Sequence, residues 1–128
     1  MMDASPKEVV LAFLAAWPRG DIDELMAFFA PDAVYHNIPV PPVRGAVAIR
    51  AAFLGFAKLM DSIQIENLHV AANGPIVFTE RIDCFRSKTV RLDLPVAGVF
   101  EVRGGKIVAH RDYFDYQTWL KATGIPLG

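Results

Sequence analysis

A chain of 128 residues is expected to form one domain, residues 1–128, with room for a sizeable core. Hydrophobic residues make up 53% and charged residues 21%, a balance that argues for an ordered globule over disorder. The net charge of −1, from 13 basic and 14 acidic side chains without a basic run or stripe, argues against nucleic acid as a partner.

At the N-terminus Asp3 and Lys7 lie close to a short helical pattern, not in a basic stretch followed by an apolar one, so no secretory leader is expected. No apolar run approaches the ~20 residues of a membrane span. Ser5-Pro6-Lys7-Glu8 is a capping box with proline at the first helical position. Val9, Val10, Phe13, Leu14 and Trp17 then recur at helical spacing and predict one apolar face. Pro18-Arg19-Gly20 ends that helix. Asp21 with Glu24 starts a second, expected to carry Leu25, Phe28 and Phe29 and to stop at Pro31.

Asp32 to Asn37 predicts a short strand with Tyr35 and Asn37 on one face and Val34 and His36 on the other. Residues 38–45, "IPVPPVRG", are too proline-rich for either regular element and read as a loop. From Ala46 to Met60 the pattern is helical again, with Ile49, Phe53, Phe56 and Met60 as the stripe. Residues 61–73, 76–86, 89–102 and 106–116 then read as four strands, and Gly104-Gly105 is a good hairpin turn. The tail from Tyr116 predicts a helical turn or loop. Helices followed by turn-linked strands mean an α+β fold with an antiparallel sheet. Curled around the helices, such a sheet leaves a conical cavity.

Two strands carry charge where an apolar element is expected. Val77, Thr79, Arg81, Asp83 and Phe85 share one side of residues 76–86. On residues 106–116, Val108, His110, Asp112 and Phe114 share one side, and Asp115 lies opposite as a competing carboxylate. Both sides of both strands are mixed, so periodicity does not choose between a solvated Arg81–Asp83 pair and one that faces a pocket. The lone Cys84 excludes an intrachain disulfide, suits a reducing, cytoplasmic setting, and reads as a small buried hydrophobe. His36, His69 and His110 lack metal-ligand spacing, so no metal is expected; His110 either faces the cavity beside Asp112 or packs in the core.

The stretches "VYHNIPVPP" (34–42), "TERIDCF" (79–85) and "GVFEVRGGKIVAHRDYFD" (98–115) resemble the limonene-1,2-epoxide hydrolase family, over nearly the whole chain and in order. The resemblance implies the cone of the nuclear transport factor 2-like (NTF2-like) and SnoaL-like group. That cone is a strongly curved, mixed, mostly antiparallel sheet with N-terminal helices enclosing a deep pocket. It implies Arg81 as the family's arginine, Asp83 as its acid, Asp112 as its base, and Tyr35 and Asn37 as holders of a water molecule. The implied reaction adds that water to a small hydrophobic epoxide in one step, without a covalent intermediate and without a cofactor. With strand alternation, it makes Met60, Phe85, Leu94, Val96 and Phe114 the expected pocket wall. It also implies a homodimer paired through the outer sheet face, where Phe78, Ile82 and Tyr113 would lie. Two rivals stand beside it: another enzyme of this fold, ketosteroid-isomerase-like or polyketide-cyclase-like, and a non-catalytic binding module.

Overall fold

The computed structural model describes residues 4–127; Asp3 and the outermost ends of the expected domain lie outside the described residues. Ser5 caps helix α1 (Pro6–Ala16): its hydroxyl accepts from the Glu8 N–H, and the Glu8 carboxylate accepts from the Ser5 N–H. Val9, Val10, Phe13 and Leu14 form its buried face. After a short 3-10 turn, Asp21 caps α2 (Ile22–Met26).

Here the fold departs from expectation. Helix α2 ends at Met26, and strand β1 (Phe29–Asn37) begins before Pro31 and runs through it. Extended backbone buries Phe29 edge-on against Phe13, with ring centroids 5.2 Å apart. The proline is tolerated because the pairing of β1 shifts register between Phe29 and Val34, so no ladder N–H is required there. The proline-rich segment also contributes a two-residue strand, β2 (Val43–Arg44), which pairs with Val34 and Tyr35.

Helix α3 (Ala46–Leu59) leads into β3 (Ser62–Asn73), β4 (Ile76–Arg86), β5 (Arg91–Arg103) and β6 (Lys106–Tyr113), followed by α4 (Tyr116–Thr123). Strand β6 stops short of the expected end because Asp115 turns to cap α4, accepting from the Gln117 N–H and the Thr118 hydroxyl. Gly104 and Gly105 both take positive φ, 55° and 76°, as a tight hairpin of that type demands. The strands form one open sheet in the order β2-β1-β6-β5-β4-β3, antiparallel except for the parallel pair β1/β6.

Burial settles the phase that periodicity leaves open. Val77, Thr79, Arg81, Asp83 and Phe85 are all buried, while Phe78 and Glu80 of the same strand are exposed. Cys84 therefore sits half-buried on the outer face of the sheet, not in the core, since its neighbours Asp83 and Phe85 take the inward phase. Two apolar clusters fill the inner side. One joins α1, α3 and β1 to Val77, Phe100 and Ile107; the other gathers Met60, Phe85, Leu94, Val96 and Trp119. Thr79, Arg81 and Asp83 lie on β4 between them. Among the described residues, no helix is long and apolar enough to cross a membrane.

Candidate active site

Arg81 is 2% exposed and spends every donor it has. Its Nε and Nη2 donate to the two oxygens of Asp83 at 2.9 and 2.8 Å. Nη1 and Nη2 donate to the two oxygens of Asp112, both at 3.0 Å, and Nη1 also donates to the Thr79 hydroxyl at 3.2 Å. One guanidinium thus holds two carboxyl groups in two fork-shaped pairs.

Asp83 stands beside Arg81 on β4, but Asp112 is on β6, with β5 between. Strands two apart are separated by about 9–10 Å, too far for an arginine to cross unless the strand between offers no obstacle. Gly98 supplies the gap. It pairs with Thr79 on one side and Asp112 on the other. A Cβ at Gly98 would lie 2.4 Å from Arg81 Nη1, 2.7 Å from Thr79 Oγ1 and 2.9 Å from Asp112 Oδ1.

Asp112 has a third partner. His110 Nε2 lies 2.9 Å from its Oδ1, which makes Nε2 the protonated nitrogen against an acceptor-only carboxylate. The ring is buried, stacks on Phe100 at 4.2 Å between centroids, and has no partner for Nδ1 among the described residues. On β1, the Tyr35 hydroxyl donates to Asn37 Oδ1 at 3.2 Å. The parallel register sets Tyr35 against His110 and Asn37 against Asp112.

The two aspartates are pushed in opposite directions. Burial raises the Asp83 pKa above the usual carboxylate range, and Arg81 offsets this only in part. Burial acts on Asp112 in the same sense, but the charge of Arg81 and the His110 ring together outweigh it and hold that carboxyl below the usual range. Burial, helped by the nearby negative charge of Asp112, pushes the Tyr35 phenol far up, so it stays neutral. Arg81 is held cationic by the two aspartates despite its own burial.

All five polar residues implied by the family resemblance therefore meet at one cavity of about 50 Å3, whose wall includes Phe85, Leu94, Val96 and Phe114. Met60 is the exception. It is buried, but as the extended cap that ends α3 it lines a separate hollow with Trp17, Pro18 and Ile63. Thr79 and Gly98 were missed by sequence reasoning, although a glycine within an otherwise β-prone run is a signal of close approach. Among the described residues no group of three or more His, Cys, Asp or Glu side chains could hold a metal ion.

This is the fold of the NTF2-like and SnoaL-like group, with a buried arginine bonded to two carboxyl groups at its centre. The model of the limonene-1,2-epoxide hydrolase catalytic domain matches residues 4–124, and the chain belongs to that family. It is 34% identical over 112 residues to the epoxide hydrolase EphG of Mycobacterium tuberculosis, covering 88% of this chain and 74% of that protein. The solved structure of an LEH-like epoxide hydrolase from M. tuberculosis superposes with a TM-score of 0.79 at 30% identity, over 92% of this chain and 88% of that one. A protein of ketosteroid-isomerase-like fold from Catenulispora acidiphila superposes at 0.82 with 22% identity, over 96% of each chain, and shares the fold. The chain is a hydrolase acting on the ether bond of epoxides.

Proposed function

We propose that the protein adds water to a small hydrophobic epoxide in one step, giving a vicinal diol by general acid–base catalysis. An epoxide is strained but opens slowly in neutral water, because water is a weak nucleophile and an alkoxide a poor leaving group. Both ends of the reaction need help together. Asp83, kept protonated, gives its proton to the ring oxygen as the carbon–oxygen bond breaks. Asp112, kept ionised, takes a proton from the water that forms the new carbon–oxygen bond. Tyr35 and Asn37 orient that water, which lowers the entropic part of the barrier. Each turnover leaves one proton moved from Asp83 to Asp112, and its return through solvent restores the site.

The observation that carries this reading is the single guanidinium shared by two carboxyl groups, of which Asp112 alone also meets His110. A proton-abstracting isomerase on the same fold needs one base and oxyanion donors, and a binding module needs neither carboxyl. The test is single-turnover hydrolysis of cyclohexene oxide in oxygen-18 water. Label in the first diol supports direct attack by water; an unlabelled first diol would mean that a protein carboxylate attacked and would overturn the mechanism. The exposed Phe78 and Tyr113 on the outer sheet face support pairing of two copies there, which sedimentation equilibrium tests.

A further inference from the structure

Thr79 stands where the guanidinium runs out of carboxylates. Four of the five Arg81 N–H groups go to Asp83 and Asp112, and the fifth, on Nη1, donates to the Thr79 hydroxyl at 3.2 Å. Thr79 lies two positions before Arg81 on β4 and shares its inward face, as Asp83 does two positions after it. Three partners therefore bracket the planar head. Asp83 takes its Nε–Nη2 edge, Asp112 its Nη1–Nη2 edge, and Thr79 the N–H that remains. Thr79 is 4% exposed, and its own proton is directed at the Gly98 carbonyl, 3.5 Å away, which leaves the hydroxyl lone pairs for Arg81.

A hydroxyl suits this position better than the alternatives. A buried arginine N–H without an acceptor carries its full desolvation cost. A third carboxylate would accept it, but would add negative charge to a dry site where one cation already faces two carboxyl groups. Valine has the outline of threonine and no acceptor. Threonine supplies the acceptor without the charge, and its β-branching restricts χ1, so the oxygen is held in place. Thr79 is not among the residues lining the catalytic cavity, whereas Arg81, Asp83 and Asp112 are. It reaches the reacting atoms only through the guanidinium.

We infer that Thr79 is a positioning residue for epoxide opening: its hydroxyl fixes the in-plane rotation of the Arg81 guanidinium, and with it the placement of Asp83 relative to Asp112. The inference rests on the acid–base reading above. Without the hydroxyl, Nη1 has a free donor and the head is left to pivot on its two carboxylate pairs, which shifts the acid against the base.

Thr79→Val tests this beside Thr79→Ser, which restores the hydroxyl. With cyclohexene oxide, kcat of Thr79→Val is expected to fall ~10-fold or more while KM stays within ~2-fold, and Thr79→Ser to keep both near wild type. A Thr79→Val enzyme that loses less than ~3-fold in kcat overturns the inference, and so does a Thr79→Ser enzyme as slow as Thr79→Val. Should Thr79→Val not fold, Thr79→Cys keeps a side chain of similar size with a much weaker acceptor, and the same outcomes apply. The Arg81 Nε and Nη proton resonances report the anchoring without turnover. They are expected to be resolved in wild type and Thr79→Ser and averaged by rotation in Thr79→Val. If wild type opens no epoxide but the resonances still collapse in Thr79→Val, the catalytic reading fails and the anchor stands. Resonances that stay resolved in Thr79→Val sink the anchor whatever the turnover.

Discussion

Gly98→Ala is the smallest change that reaches the centre of the site without altering a polar group. The added methyl would sit 2.4 Å from Arg81 Nη1, where ordinary contact begins at 3.4 Å, so the guanidinium must retreat by about 1.0 Å. It is not the free end of a flexible chain, because all five of its N–H groups are engaged. The nearest bonds, to Thr79 and to Asp112 Oδ1, would lengthen first. Overpacking of this kind costs ~1–3 kcal/mol, which most domains survive. A displacement of ~1 Å in a positioned catalytic group costs on the order of 100-fold in rate. The expected variant is therefore folded, modestly less stable and nearly inactive. Steady-state kcat on cyclohexene oxide, measured beside thermal unfolding, checks both halves. A folded Gly98→Ala enzyme that keeps kcat within ~3-fold of wild type would refute the claim that Arg81 must lie across β5 at this spacing.

Asp112→Asn removes a carboxyl whose pKa is lowered by folding. Such a group stabilises the fold above about pH 4 and loses that contribution as pH falls further. Urea unfolding of the variant is expected to show a flatter stability profile below about pH 4 than wild type; an unchanged slope would dissociate Asp112 from acid unfolding. His110→Phe keeps an aromatic ring against Phe100 but deletes the bond to Asp112. Since that bond holds the Asp112 pKa down, the acid limb of the kcat profile is expected to move to higher pH, and a limb that stays in place would remove His110 from the tuning of the base.

Much of the fold was legible because its signals are local. The Ser5 capping box, the apolar stripe of α1 and the Gly104-Gly105 turn each decide their own few residues, and all three form. The errors fall where a distant partner overrides local chemistry. Phe29 and Pro31 read as the end of a helix, but burial of Phe29 against Phe13 and pairing with β6 draw them into a strand. Asp115 reads as strand, but capping of α4 claims its carboxylate. The shared phase of Arg81 and Asp83 on β4 raises the question but leaves a solvated pair open, and all five site residues need the family resemblance. Nothing in one sequence sets the distance between β4 and β6. Gly98 was passed over for the same reason: its meaning appears only when an arginine crosses above it.

Spacing along the chain cannot assign acid and base between Asp83 and Asp112, but the partners can. Two carboxylates share one cation in a dry site, so ionising both leaves an uncompensated negative charge, and one proton is retained. Asp83 has Arg81 as its side-chain partner, whereas Asp112 has both Arg81 and His110. The better-solvated anion is Asp112, so the retained proton settles on Asp83. On the proposed mechanism, Asp83 would then be the donor to the epoxide oxygen and Asp112 the acceptor from water. Carbon-13 shifts of the two carboxyl groups, followed by NMR against pH, are expected to show Asp83 titrating well above Asp112. The opposite order would exchange their roles, and His110 would then be bonded to the acid rather than to the base.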